Sequence, residues 1–201
     1  MKRLNVLTVL ILSMIMFSCA TFSKKGFRKE VDKLEETNLT MLNGNYSFYP
    51  IKRYIGNDKK QNDSVPNSLR YNNAYDFLIN ENYQKSREFD SLRMKDNEYQ
   101  ITLNLENKNS LRIKVFENSL VIKDTLLAGK YKKGMFYLDN TFLECRGIPY
   151  LFGGCTHNKR RVGLTKSGNL LVNEAVDSSG ALLIIIAAGY SYNATFEYKK
   201  Q

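Results

Sequence analysis

The chain predicts a mostly β fold: an antiparallel, up-and-down β-barrel of about 8–10 strands behind an N-terminal helix, with a β-sandwich as the alternative. Three observations carry this. From Glu98 onward apolar residues alternate with polar ones. Tyr99, Ile101, Leu103 and Leu105 interleave with Gln100, Thr102 and Asn104; Leu111, Ile113 and Val115 interleave with Arg112 and Lys114. Such alternation marks strands with one dry face and one wet face. The segments are short and regularly broken by turn chemistry at Asn107-Lys108-Asn109, Asn118-Ser119, Lys133-Gly134, Asp139-Asn140, Ser167-Gly168-Asn169 and Ser178-Ser179-Gly180. No internal repeat is visible, which argues against a propeller or solenoid.

The elements follow in order. Lys2 and Arg3 precede an apolar run from Leu4 to Phe17, 14 residues long. That is short of the roughly 20 needed to span a bilayer and has the length of a signal-peptide core. The run ends at Met16-Phe17-Ser18-Cys19, which resembles the lipobox of bacterial lipoproteins. The resemblance implies cleavage before Cys19 and acylation of its thiol. More than one acyl chain on that residue would give stable anchoring. An ordinary secretory signal and an N-terminal membrane helix are the other readings. In enterobacterial lipoproteins an alanine such as Ala20 after the cysteine implies outer-membrane sorting. Thr21–Arg28 lacks the acidic residues of some surface-exported lipoproteins, which points to the periplasmic face.

Residues 1–18 are thus expected as a signal peptide, 19–42 as a lipidated tether and helix, and 43–201 as the barrel domain. Phe27, Val31 and Leu34 fall at i, i+4 and i+7, so Ser23–Leu42 predicts a helix whose apolar stripe docks on the domain. Gly56–Ser68 is a polar loop with Pro66. Ser68 is a candidate cap for a short helix through Leu69, Ala74, Phe77 and Leu78, with a strand at Tyr75–Ile79 as the alternative. Glu81–Asn97 is charged and receives no assignment. Further strands are expected at 119–123, 125–132, 135–138, 141–145, 160–165, 169–174, 181–187 and 193–199. The run Ala181–Gly189, "ALLIIIAAG", is apolar at every position but its last. It predicts a mid-sheet strand dry on both faces, covered outside by the N-terminal helix or by the 68–79 segment.

The stretch Leu42–Pro50, "LNGNYSFYP", resembles the opening of lipocalins, in which Gly-x-Trp starts the first strand and the ring closes one end. Gly44-Asn45-Tyr46 supplies it here, with tyrosine for tryptophan. Lys199 is the candidate for the basic residue that packs over that ring from the last strand. The outline is similar to a lipocalin-like, calycin-type β-barrel lipoprotein of a Bacteroidetes-type envelope. The resemblance implies an interior that holds one small ligand or is filled by side chains. Tyr46, Phe48, Tyr131, Phe136, Tyr137 and Tyr198 are the candidate lining residues, or else core.

The first 18 residues carry two of the 30 basic side chains and none of the 20 acidic ones, leaving eight excess positive charges on the remaining 183 residues. Lys130–Lys133, Lys159-Arg160-Arg161 and Lys199-Lys200 form basic clusters, suited to anionic headgroups or glycans or simply to a solvated face. Export argues against nucleic acid as a partner. Cys145 and Cys155 are disulfide candidates in an oxidising envelope. His157, with these cysteines, fits neither a standard zinc spacing nor a nucleophile pair. Gly153-Gly154 is no phosphate loop. No paired carboxylates are implied, so no enzyme, cofactor or metal is expected. The expected function is a membrane-anchored lipoprotein that binds a small apolar or amphipathic ligand. The alternative is a non-enzymatic structural or interaction protein with a filled barrel. The anchor reading has a direct check: Cys19→Ala should abolish incorporation of labelled palmitate and leave the precursor uncleaved, and labelling that persists would refute it.

Overall fold

The computed structural model describes residues 20–24, 26–54, 72–79, 89, 97–148, 152–182 and 186–201. The signal region, Cys19, the Gly56–Ser68 loop, the Ser68 cap with Leu69, and nearly all of 81–97 lie outside the described residues. Eleven strands are described: β1 (Val31–Asp32), β2 (Gly44–Ser47), β3 (Lys52–Tyr54), β4 (Tyr99–Asn107), β5 (Ser110–Glu117), β6 (Leu120–Lys132), β7 (Met135–Leu138), β8 (Phe142–Ile148), β9 (Phe152–Thr165), β10 (Leu170–Leu182) and β11 (Ile186–Tyr198). One α-helix, α1 (Ala74–Ile79), and a 3-10 turn at Leu39–Leu42 complete the description.

The strands form one antiparallel sheet in the order β2-β4-β5-β6-β7-β9-β10-β11-β3, with β1 and β8 also on β9. Its ends are not joined by a continuous ladder. They meet at an isolated bridge, Tyr46 to Lys200. Beside it the Ser47 amide donates to the Lys199 carbonyl at 2.8 Å and the Gln201 amide to the Asn45 carbonyl at 2.9 Å. The expected alternation is met where it was clearest: Ile101, Leu103, Ile113 and Val115 are fully buried. The β5–β6 and β6–β7 links are two-residue turns whose central residues, Asn118-Ser119 and Lys133-Gly134, all have positive φ. This backbone twist suits tight hairpins.

The N-terminal helix is not formed. Ser23–Leu42 instead runs through turns, β1 and the 3-10 segment. Val31 and Asp32 pair with Thr165 and Leu164 of β9, and the Leu34 amide donates to the Gly134 carbonyl at 3.3 Å. Phe27 packs with Tyr54, Met135 and Leu171, whereas Leu34 enters the main core. A helical stripe cannot reach both clusters. An extended strap can, and it gains sheet hydrogen bonds in exchange for helical ones. The docking of these apolar residues is retained without the helix.

Three further expectations are corrected. Segments 119–123 and 125–132 are one strand, β6. Ser178-Ser179-Gly180 is no turn but lies within β10, opposite Thr156, Cys155 and Gly154. A side chain on Gly180 would come within 2.8 Å of the Gly153 carbonyl, so this glycine permits close backbone approach. Finally, Ala181–Gly189 is not one mid-sheet strand. Leu182 pairs with Ile186, so the apolar run is the place where β10 turns back into β11, and the dryness of its faces lies outside the described residues. The 68–79 segment is helical over Ala74–Ile79, and the strand alternative is excluded there. Asn73 caps it, its Oδ1 accepting from the Asp76 amide at 2.9 Å.

The core assignment is checked by truncation. Leu103→Ala should cost about 2–5 kcal/mol in urea unfolding, whereas Leu120→Ala, at an exposed position, should cost about 0.5 kcal/mol or less. Equal losses at both sites would overturn the facing of the sheet.

Candidate functional site

The register of β9 against β10 sets Arg160 directly opposite Glu174. Alternation along β10 puts Glu174 on the same face as Leu170 and Val172, the face that builds the main core. Both charged side chains are fully buried, and Arg160 Nη2 donates to Glu174 Oε1 at 2.9 Å. Burial pushes the Glu174 carboxyl up, and the Arg160 guanidinium opposes that shift. Glu174 Oε2 is buried without a hydrogen bond from the described residues. On the other side of Glu174, β11 offers the small side chain of Ala194. Buried Tyr198 donates to the Asn72 carbonyl at 2.8 Å. Its phenol is held well above its ordinary range by burial, and then by the nearby Glu174 charge.

Four of the six candidate aromatics, Tyr46, Phe48, Phe136 and Tyr198, are buried together in this interior, and half-buried Tyr131 packs against it. Tyr131 Oη donates to the Leu34 carbonyl at 3.0 Å. Phe48 lies 5.2–5.3 Å from the rings of Tyr49, Phe89 and Tyr99, and Phe77 of α1 meets Phe196 edge-on at 4.9 Å. Tyr137 is not among them. It faces the other side of the sheet, where its hydroxyl accepts from Arg161 Nη1 at 3.0 Å.

Tyr46 lies at the seam between the sheet ends. Its hydroxyl donates to the Leu42 carbonyl at 3.0 Å, and burial pushes its phenol up to about 12. The ammonium over its ring, 5.9 Å from the centroid, belongs to Lys200 rather than the expected Lys199. Lys200 is the bridge partner of Tyr46, which brings it to this spot. A side chain on Gly44 would lie 2.9 Å from Lys200 Cε, so the glycine leaves the lysine its path.

The basic run Lys159-Arg160-Arg161 is therefore divided by the pleat: Arg160 points inward and Arg161 outward. Arg161 donates to Asn173 Oδ1 at 2.7 Å and to the Ser23 carbonyl at 3.1 Å, with the Phe22 ring 4.3 Å away. Burial lowers its pKa, against the effect of its bond to Tyr137. Asn193 grips the same strap at both edges of its amide, accepting from the Ser23 amide at 2.8 Å and donating to the Thr21 carbonyl at 3.0 Å. The Ala20 amide lies 3.4 Å from His157 Nδ1, so the chain is held at the residue adjoining Cys19. The imidazole pKa is lowered by burial and by Lys159, against Asp177.

Cys145 and Cys155, opposite each other on β8 and β9, are joined by a disulfide. Their sulfurs are thereby withdrawn from any thiolate chemistry with His157. Among the described residues no group of three His, Cys, Asp or Glu side chains is placed to hold a metal ion. Arg160 and Glu174 were the residues that sequence reasoning missed. The available signal was Arg160 in step with Val162 and Leu164, a charge inside a period-two apolar pattern. Comparison with known families, proteins and solved structures finds no match to the chain.

Glu174→Ala removes one member of a dry ion pair and should cost about 3–5 kcal/mol in urea unfolding, whereas the double change Arg160→Met with Glu174→Leu should recover most of that. A loss below about 1 kcal/mol for the single change would mean that the pair is hydrated.

Proposed function

We propose that the chain is a membrane-anchored, non-enzymatic envelope lipoprotein whose sheet curls into a lipocalin-like barrel around a small amphipathic ligand. The observation that carries this reading is the Arg160–Glu174 pair, two charges without solvent exposure in an aromatic and aliphatic interior. Desolvating two ions costs several kcal/mol each, and apolar residues of similar volume stabilise a core as well or better. A polar centre kept at that cost suits a ligand with an apolar body and a hydrogen-bonding head, the free Glu174 Oε2 being an acceptor for a hydroxyl or amine.

The barrel reading is supported by the isolated bridge that brings Lys200, just beyond β11, to Tyr46 of β2, and by the hydrogen bonds beside it. The Gly44-Asn45-Tyr46 stretch with Lys200 over the ring supports the lipocalin-like outline. The anchor reading rests on the lipobox-like Met16–Cys19, and Ala20 together with the lack of acidic residues over Thr21–Arg28 supports the periplasmic face of the outer membrane. Its basic clusters suit anionic glycans or headgroups. A second reading, a structural protein with a filled interior, is favoured by the ring contacts around Phe48.

Native mass spectrometry of the protein extracted from membranes separates the two. The binding reading expects a small molecule retained on the wild-type chain and lost from the folded Arg160→Met/Glu174→Leu variant. A wild-type chain that carries nothing, and takes up no fatty acid, lysolipid or isoprenoid on exposure, overturns it in favour of the filled core.

A further inference from the structure

Antiparallel pairing sorts the strand connections into two groups at opposite ends of the sheet. One end holds the β4–β5, β6–β7 and β9–β10 links, reading Lys108-Asn109, Lys133-Gly134 and Lys166-Ser167-Gly168-Asn169, together with Lys199-Lys200-Gln201 beyond β11. The other end holds the β5–β6, β8–β9 and β10–β11 links. There Asn118-Ser119 runs into Leu120-Val121-Ile122, Ile148 is connected to Phe152 by Pro-Tyr-Leu, and Leu182 to Ile186 by Leu-Ile-Ile. Connections between strands are ordinarily built from Gly, Pro, Asn, Asp and Ser, so two that are almost wholly apolar, at one end, call for an apolar neighbour.

Of the described residues near that end, Arg146 and Glu144 form an ion pair at the surface of β8, and four large apolar residues stand open to solvent. Leu120 is 72% exposed, Leu143 66%, Tyr190 53% and Val121 51%. The chain also enters there. Ala20, the residue after Cys19, meets His157 of β9, which is the register partner of exposed Leu143. From His157, β9 needs only five residues back to Phe152 to reach the apolar end, roughly 17 Å of strand. The strap from Ala20 to Ser23 is held by His157, Asn193 and Arg161, so a membrane attachment at Cys19 would fix the sheet's orientation as well as its location.

We infer that the apolar end of the sheet, marked by Leu120, Val121, Leu143 and Tyr190, lies in the lipid interface of the bilayer that carries the anchor, with the lysine-rich end facing away. The inference rests on the lipoprotein reading for its choice of bilayer. Its physical basis is that of interfacial proteins: apolar side chains enter the headgroup–acyl boundary while polar groups stay in water.

The chain contains no tryptophan, so single-tryptophan variants report depth without background. Leu143→Trp, Tyr190→Trp and, as a control beside the lysine-rich end, Met41→Trp are each purified as the full membrane-extracted protein and reconstituted into phosphatidylcholine–phosphatidylglycerol vesicles with brominated acyl chains. Circular dichroism checks that each is folded, and the intact mass reports acylation of Cys19. Bromine should quench emission about twofold at positions 143 and 190 and leave position 41 within about a tenth of its unbrominated value. Acylated protein with no quenching at 143 and 190, or with equal quenching at 41, overturns the inference while the anchor stands. Quenching confined to 143 and 190 on a chain that lacks acylation upholds the buried end and overturns the anchor.

Discussion

Two opposite charges that meet at 2.9 Å inside an apolar interior fix how β9 lies against β10. Moving either strand by one residue would turn its charged member out to the other face and leave the other buried alone. A slip of β9 would also carry Lys159 and Arg161 inward. The same register decides much else. It places glycine opposite glycine at 154 and 180, where the backbones approach too closely for side chains. It puts Arg161 beside Asn173 on the outer face, and so creates the site on which the strap from Ala20 is held. The pair therefore costs desolvation energy in the core and, in return, penalises any one-residue slip of β9 against β10.

Strand β10 is covered on both faces over Leu170–Val176. One face meets the aromatic interior. The other lies under Phe27 and its neighbours, with Leu171 in the smaller cluster they form. Two-sided burial is usually announced by an unbroken apolar run. Here the doubly covered stretch contains Asn173, bonded to Arg161 and Thr195, and Glu174, paired with Arg160 through one carboxylate oxygen, while the unbroken apolar run sits further along, where the chain reverses. Burial on both sides and apolarity on both sides are separate properties in this sheet.

That separation explains what was legible in the sequence. The strands from Tyr99 to Leu138 could be placed because their alternation and their Asn-Ser and Lys-Gly turns agree. Ile101, Leu103, Ile113 and Val115 faced inward as their spacing required. The strap was misread because Phe27, Val31 and Leu34 satisfy helical spacing, yet tertiary pairing with β9 determines their conformation. Ser178-Ser179-Gly180 carries turn residues for a reason other than turning. Of the site, Tyr46, Phe48, Phe136 and Tyr198 were legible as aromatics near strand ends. Arg160 was hidden within a basic run, and Glu174 had no visible partner until the register brought the two together.

The seam has a kinetic consequence. Asn45, Tyr46 and Ser47 are bonded to Lys199, Lys200 and Gln201, across more than 150 positions of chain. Such distant pairings carry the full loop-closure entropy before any contact rewards it, and they slow folding. During synthesis, β2 has its partner β4 long before it can have residues 199–201. Until those last residues arrive, one side of β2 presents unpaired backbone groups to its surroundings, the condition under which edge strands recruit other chains. The hairpins from β4 to β7, with two-residue links and local contacts, are the part able to form first and wait.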